Sequence, residues 1–384
     1  MSTSMRKSLI LCLLVLLTGV PTLAHALTCP GNGKLITCTE ANGAVVYVWH
    51  AGSLGNAFNP TESQFCAQTG ISVCDNAAGS LDMVRQVTAG AQPADVVAPA
   101  DYLDVDLFLK AKGYADYDIR FAEGKMVLAY CLGATSGGAC AGTSKQSALI
   151  ADTSAGAPTW GPPASPTDDS IPNAVSNWYT LLSATGVTFG GSHLYLDPSG
   201  YRAPMIFRLA QSFYKVPNLY DSLLEHYIAT PATTGTTQSF KLGAQYDYTL
   251  TYQNNAYVTS LSDPNYRYVN LPDDINLGNS AKNYYYRQAV IVEPDLFGTG
   301  FVPLPASRVV WGVTVLKNAP NPDNAIKFLQ FLLDPKKGTG QTNLQTEGPA
   351  PIAPAEVSRD DYRKLPDVLK PLVTVTWDHG KCAW

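Results

Sequence analysis

Apolar runs alternate with amphipathic stretches three times between residues 45 and 102. The first unit reads VVYVWHAGSLGNAF. Its run 45–49 is apolar and β-branched, which favours a buried strand. Gly52 and Ser53 make a turn, and the stretch after them suits a helix. In the second unit, ISVCDNAAGSLDMVRQV, residues 71–74 suit a strand and Gly79-Ser80 a turn. Residues 81–87 then place apolar side chains at helical spacing. The third unit, ADVVAPADYLDVDLFLKAKG, predicts a short strand over 95–98 and a helix after Asp101. Strands alternating with helices predict an α/β fold with mostly parallel sheets flanked by helices. Such sheets take ligands at the carboxyl ends of their strands.

Further along, the run MVLAY predicts a strand ending at Tyr130. Residues 131–172 are rich in Gly, Ala, Ser, Thr and Pro and carry no sustained period. A stretch of that length reads as a surface insertion. Helices are expected at 177–182 and 219–227, and a strand within 187–196. Asp197-Pro198 opens another helix, since Asp caps and Pro fits the first turn. Residues 228–238 form a Thr/Ala loop. Residues 246–252 alternate as a strand does, and 309–315 is an apolar strand. Residues 321–333 put Ala325, Phe328, Leu329 and Leu332 on one helix face, a core stripe with no ligand role.

Composition narrows the setting. The chain has 384 residues, 46% of them apolar, and a formal charge of −5. Residues 1–26 hold Arg6 and Lys7 and no acid, so without them 24 basic face 31 acidic residues, a net −7. No basic surface invites nucleic acid. Residues 1–26 have the three parts of a secretory signal: a basic start, an apolar middle too short to span a bilayer, and Ala24-His25-Ala26 as a cleavage site. Cys29 raises a lipoprotein anchor, but Ala26-Leu27-Thr28 fits a lipobox poorly, so a soluble periplasmic protein is expected. Cys12 leaves with the signal and seven cysteines remain. An oxidising compartment favours disulfides. Local spacing suggests Cys29–Cys38, Cys66–Cys74 and Cys131–Cys140, with Cys382 left over.

The chemistry lies in the turns. Two Gly-Ser pairs stand where helices begin, where free N–H groups and the positive helix end gather. The plain reading of Ser53 and Ser80 is as helix N-caps. Two such turns in succession suggest instead an anion site built from neutral donors, with Gly52 and Gly79 letting the ligand approach the backbone. Enzymatic function is not expected. There is no GxSxG elbow and no HExxH, and of five histidines only His50 stands beside these turns.

HAGSL, AAGSLDMVRQVTAG and PADVVAPADY, in that order and spacing, resemble the periplasmic molybdate/tungstate-binding proteins of ABC importers, tungstate-type branch. DPSGYR and the segments VNLPDDINLG and YYYRQAVIVE extend the likeness over most of the mature chain. The resemblance implies a two-lobed type II periplasmic-binding-protein fold with the ligand in the interlobe cleft. The first lobe would span 27–128 and take the chain back at 312–384, with the second lobe at 129–311. It implies a monomer without cofactor that binds molybdate or tungstate and delivers it to a membrane permease. Candidate ligand-binding residues are Ser53 and Ser80 from the first lobe, and Asp197, Ser199, Thr251 and Tyr252 from the second. Tyr252 matches a Tyr that the family places at the anion. Charge-assisted hydrogen bonds contribute roughly 1.5–3 kcal/mol each. Five to seven give on the order of 10 kcal/mol, and a submicromolar Kd needs roughly 8–11. No Arg or Lys is required.

One departure stands out. The tungstate-type branch brings two carboxylates to the metal. Asp197 matches one and is a possible direct ligand of bound Mo or W. The other is a Glu in a DYxxEY pattern, and here DYTLTY puts Thr251 there. Tetrahedral binding, or a weakened six-coordinate state, is therefore expected. Other oxyanions stay open as ligands, as does ferric ion, for which Tyr284-Tyr285-Tyr286 speaks.

Overall fold

A computed structural model describes residues 29, 33–39, 42–90, 92–133, 138–140, 160–161, 163–230, 246–294 and 300–376. The 1–26 signal, Cys382 and most of the 131–172 insertion lie outside the described residues. No described helix is long and apolar enough to cross a membrane.

Val45–Ala51, Ser72–Ala78 and Val96–Ala98 are parallel neighbours, as the repeated strand–helix pattern requires. They form part of an eight-stranded sheet in the order Lys34–Ile36, Ser72–Ala78, Val45–Ala51, Val96–Ala98, Val309–Val315, Ile119–Gly124, Ala350–Ser358, Val373–Thr376. A second sheet runs Tyr266–Asn270, Met126–Cys131, Tyr248–Tyr252, Phe189–Gly191, Tyr227–Ala229. The α/β class with helix-flanked sheets holds, but the sheets are mixed rather than mostly parallel. Val309–Val315 runs antiparallel to both its neighbours, and Met126–Cys131 does the same in the second sheet. These strands adjoin the crossings between sheets. A chain returning from one sheet enters the other against the direction of the strand–helix units.

The crossings are short. Ile119–Gly124 belongs to the first sheet and Met126–Cys131 to the second, with Lys125 between them. The return comes just before Val309, whose N–H donates to the Leu277 carbonyl at 2.7 Å. Val309–Val315 is buried along its whole length, as its unbroken apolar run anticipates.

Helices cover both sheets. Pro322–Leu333 buries Ala325, Phe328, Leu329 and Leu332. Phe328 packs edge-on to Phe65 of helix Gly55–Thr69, ring centroids 5.4 Å apart. Pro198–Tyr214 is a long helix capped by Asp197 and buried on nearly every side as far as Ala210.

The cysteines pair differently from their local spacing. The disulfides are Cys29–Cys74, Cys38–Cys66 and Cys131–Cys140, so only the last agrees with the expectation. Lys34–Ile36 adds to the edge of the first sheet, with Leu35 opposite Cys74. Sheet pairing carries Cys29 and Cys38 past each other to partners far along the chain. Cys29 is thus tied to strand Ser72–Ala78 and Cys38 to helix Gly55–Thr69, rather than to each other.

Candidate functional site

Ser53 lies in the tight turn Gly52–Leu54, at the carboxyl end of Val45–Ala51. Ser80 opens helix Ser80–Thr88 just after Ser72–Ala78. Neither hydroxyl caps a helix: the helices that follow have no side-chain cap bond at their starts. Ser53 Oγ accepts from Trp311 Nε1 at 2.9 Å, and Ser80 Oγ accepts from the Ala100 N–H at 2.9 Å. Each hydroxyl is fixed by a donor from the first sheet's side, which leaves its O–H proton for another partner. Both serines are buried.

Opposite them stands the start of helix Pro198–Tyr214. Asp197 Oδ1 accepts from the Ser199 N–H and the Ser199 hydroxyl, both at 2.7 Å. Ser199 Oγ is also 2.7 Å from Ser192 Oγ. Burial pushes the Asp197 carboxyl above its usual range, against the bonds from Ser199 and the Arg202 charge. Asp197 is therefore a helix cap, and both bonds fall on one oxygen.

The two sides touch. The Leu81 N–H donates to the Leu196 carbonyl at 3.2 Å. Asn254, in helix Gln253–Ser262, donates from Nδ2 to the Ser53 carbonyl at 2.9 Å. Tyr252 packs its ring on Trp311, centroids 5.0 Å apart.

Arg202, absent from the sequence-based candidates, joins these parts. Its side chain is 1% exposed. Nη1 donates to the Ala100 carbonyl at 3.0 Å and to the Tyr252 hydroxyl. Nη2 stands 3.0 Å from Asp101 Oδ2, an ion-pair contact rather than an aligned hydrogen bond. Tyr201 donates its hydroxyl to the same Asp101 oxygen at 2.8 Å. Asp101 in turn caps Tyr102–Asp104, accepting from Leu103 N–H at 3.0 Å. A circuit thus runs from Ser53 through Trp311, Tyr252, Arg202 and Ala100 to Ser80, and across Leu196 to Asp197. Its one full positive charge is held against a carboxylate, so the hydroxyls around it are neutral donors.

Gly52, Ser53, Gly79, Ser80, Asp197, Ser199 and Tyr252 gather around this circuit. Thr251 does not join it in the same way. Strand alternation turns it to the opposite face from Tyr252, beside its register partner Val127. The sequence did carry a sign of Arg202, in DPSGYR, where Tyr201 and Arg202 follow the cap directly. Asn254 and Trp311 had none.

Residues 46–339 match the family model for bacterial extracellular solute-binding protein. The molybdate/tungstate-binding protein WtpA of Thermococcus kodakarensis is 30% identical over 392 residues, covering 94% of this chain and 96% of that protein. An uncharacterized solute-binding protein of Methanoculleus marisnigri is 30% identical over 355 residues, covering 85% of this chain and 86% of its own length. Among solved structures, the substrate binding protein of an ABC transporter from Agrobacterium tumefaciens superposes with a TM-score of 0.50 at 13% identity, over 83% of this chain and 82% of that one. That likeness is one of fold.

Proposed function

Because this chain belongs to the bacterial extracellular solute-binding proteins, we propose that it holds molybdate or tungstate between its two larger sheets and delivers it to an ABC importer. It is a binding protein, not an enzyme. It works outside the cytoplasm, in the periplasm on our reading, as a monomer that meets the membrane only through its permease.

The observation that carries the ligand class is the pair of serine hydroxyls. Each already accepts an internal N–H and so presents a fixed O–H donor. The Tyr252 hydroxyl accepts from Arg202 and so also keeps its own proton, while Ser199 would have to release its bonds to Asp197 before donating to a ligand. A tetrahedral dianion accepts from such hydroxyls, whereas a bare cation would find donors where it needs lone pairs. The ferric alternative is weaker for that reason, and Tyr284, at 89% exposure, projects into solvent.

Isothermal titration against tungstate, molybdate, sulfate, phosphate and ferric citrate tests the reading. Tungstate and molybdate should bind submicromolar and the others more weakly. Ser53→Ala and Ser80→Ala should each weaken binding by roughly 10- to 150-fold, the worth of one hydrogen bond to a charged group. Full affinity in the double variant rejects these residues as ligands. Absence of tungstate and molybdate binding by the unaltered chain rejects the function.

A further inference from the structure

Helix Gly55–Thr69 packs on the first sheet through Phe58, Glu62 and Phe65, at positions i, i+4 and i+7. The middle member of that apolar stripe is a carboxylate. Glu62 is fully buried, and neither of its oxygens has a hydrogen-bond partner among the described residues. A buried carboxylate without a partner is among the costliest groups a core can hold.

Two more ligand-bearing side chains face it. His50 is the penultimate residue of Val45–Ala51, and Asp75 lies in the adjacent parallel strand Ser72–Ala78. Both are buried. His50 Nε2 is 2.8 Å from Asp75 Oδ1. The ligand atoms of His50, Glu62 and Asp75 all lie within 4.8 Å of one another.

Donor and acceptor roles sharpen the case. His50 Nδ1 stands 2.7 Å from the Ala51 carbonyl, an acceptor, so Nδ1 carries its proton. Without a metal, Nε2 and Asp75 Oδ1 share a proton at 2.8 Å. A cation taking that proton's place would meet the Nε2 lone pair of a neutral imidazole, and lone pairs from three side chains would converge on one buried point. Two carboxylates and a neutral imidazole sum to −2, the charge that a divalent cation cancels. A carbonyl holding the far ring N–H is also the usual support for a metal-ligating histidine.

We propose that His50, Glu62 and Asp75 form a structural divalent-metal site within the first sheet's core, with zinc as the expected ion. One imidazole nitrogen and two carboxylate oxygens suit zinc, which binds them at roughly 2.0–2.2 Å, better than calcium or magnesium. The disulfides brace the same place: Cys66 follows Glu62 by one helical turn, and Cys74 precedes Asp75. The site lies beneath the anion turn, since Ser53 follows His50 by three residues. The ion would fix the strand end that carries Ser53. It is distinct from the cleft and takes a cation where the cleft takes an anion.

The test uses the full mature chain, produced without a histidine tag and with zinc chloride supplied during folding. About one zinc per chain should survive dialysis, and cobalt substituted for it should give the visible absorption of a four- or five-coordinate N/O site. Glu62→Gln and His50→Gln should each lower retained zinc by at least about tenfold. Asp116→Asn, on an exposed ion pair elsewhere, should retain it. Added zinc should raise the Tm of the unaltered chain and of Asp116→Asn, but not of the other two variants. Retention below about 0.1 zinc per unaltered chain, with no cobalt spectrum, overturns the proposal. So does full retention by Glu62→Gln, which would place bound zinc elsewhere. If both variants fail to fold, X-ray absorption of the zinc-loaded unaltered chain decides. One imidazole and two carboxylates around the ion support the site, and any sulfur or a second imidazole rejects it.

Discussion

Single residues divide into those that a motif exposes and those that only the fold reveals. The positions of Ser53 and Ser80 after strand ends were legible from the Gly-Ser pairs. Their partners were not. Trp311 stands 258 residues from Ser53, and no local pattern joins them. Arg202 was passed over for a physical reason. A site of neutral donors needs no cation against the ligand, yet here the cation serves to hold Tyr252 and Ala100 in place while Asp101 balances its charge. Asp197 carries the sharpest residue-scale prediction. Its cap bonds both fall on Oδ1, and Thr251 supplies no second carboxylate. Bound tungsten should therefore remain four-coordinate, with tungsten–oxygen distances in X-ray absorption unchanged by Asp197→Asn. A longer sixth ligand that disappears in Asp197→Asn would show instead that Asp197 reaches the metal. The same substitution keeps an acceptor for the Ser199 bonds, so the cost to folding should stay within about 1 kcal/mol.

Among the elements, periodic segments were read well and partnerships poorly. The helices Ser80–Thr88, Pro198–Tyr214 and Pro322–Leu333 follow from apolar spacing and caps. Strand direction depends on the route the chain takes between sheets, which periodicity does not encode. Two of the three expected disulfides failed likewise, because Lys34–Ile36 pairs with Ser72–Ala78 across 37 residues or more of chain. Gly79 shows how an element's start is tuned to its opposite number. A Cβ there would lie 2.6 Å from the Leu196 carbonyl oxygen and 3.6 Å from Asp197 Cβ. The backbone of the first sheet's turn thus comes within contact of the second sheet's helix start only because no side chain intervenes. Its φ of −62° suits any residue, so Gly79→Ala brings no backbone strain. Overpacking costs roughly 1–3 kcal/mol, and here it falls on the approach of the two sides. Tungstate affinity should drop by roughly 5- to 150-fold. The Tm of the ligand-free chain should hardly move, since an opened cleft relieves the clash. An equal loss of ligand-free stability would mean that the two sides do not separate.

At the scale of the molecule, Arg202, Tyr201 and Asn254 each bond from the second sheet's side to the first, and an arrangement that keeps these bonds is a closed one. Release of the anion requires these bonds to part, and delivery to an importer depends on that equilibrium. One further pair crosses the cleft with the opposite sign. His193, just after strand Phe189–Gly191, has its pKa held below the ordinary 6.5, first by desolvation and then by the positive charge of Arg85 on helix Ser80–Thr88. Neutral His193 suits the closed form, and its ring accepts the Tyr195 N–H at 3.1 Å from Nδ1. A histidine with a depressed pKa contributes stability that is fully present above the free value of 6.5 and is lost as pH falls through its lower folded value. Acidification should therefore loosen the closed state. Tungstate dissociation should quicken as pH is lowered from about 7.5 to about 5.5, a range in which histidine is the side chain that titrates. His193→Asn should flatten that dependence, because it removes the titrating ring. Arg85→Gln should make the dependence shallower, because the folded pKa of His193 then lies nearer its free value and a proton costs the closed state less. Stopped-flow release measured across that range in the three proteins checks the argument. A pH profile that stays as steep in His193→Asn would assign the effect to another group.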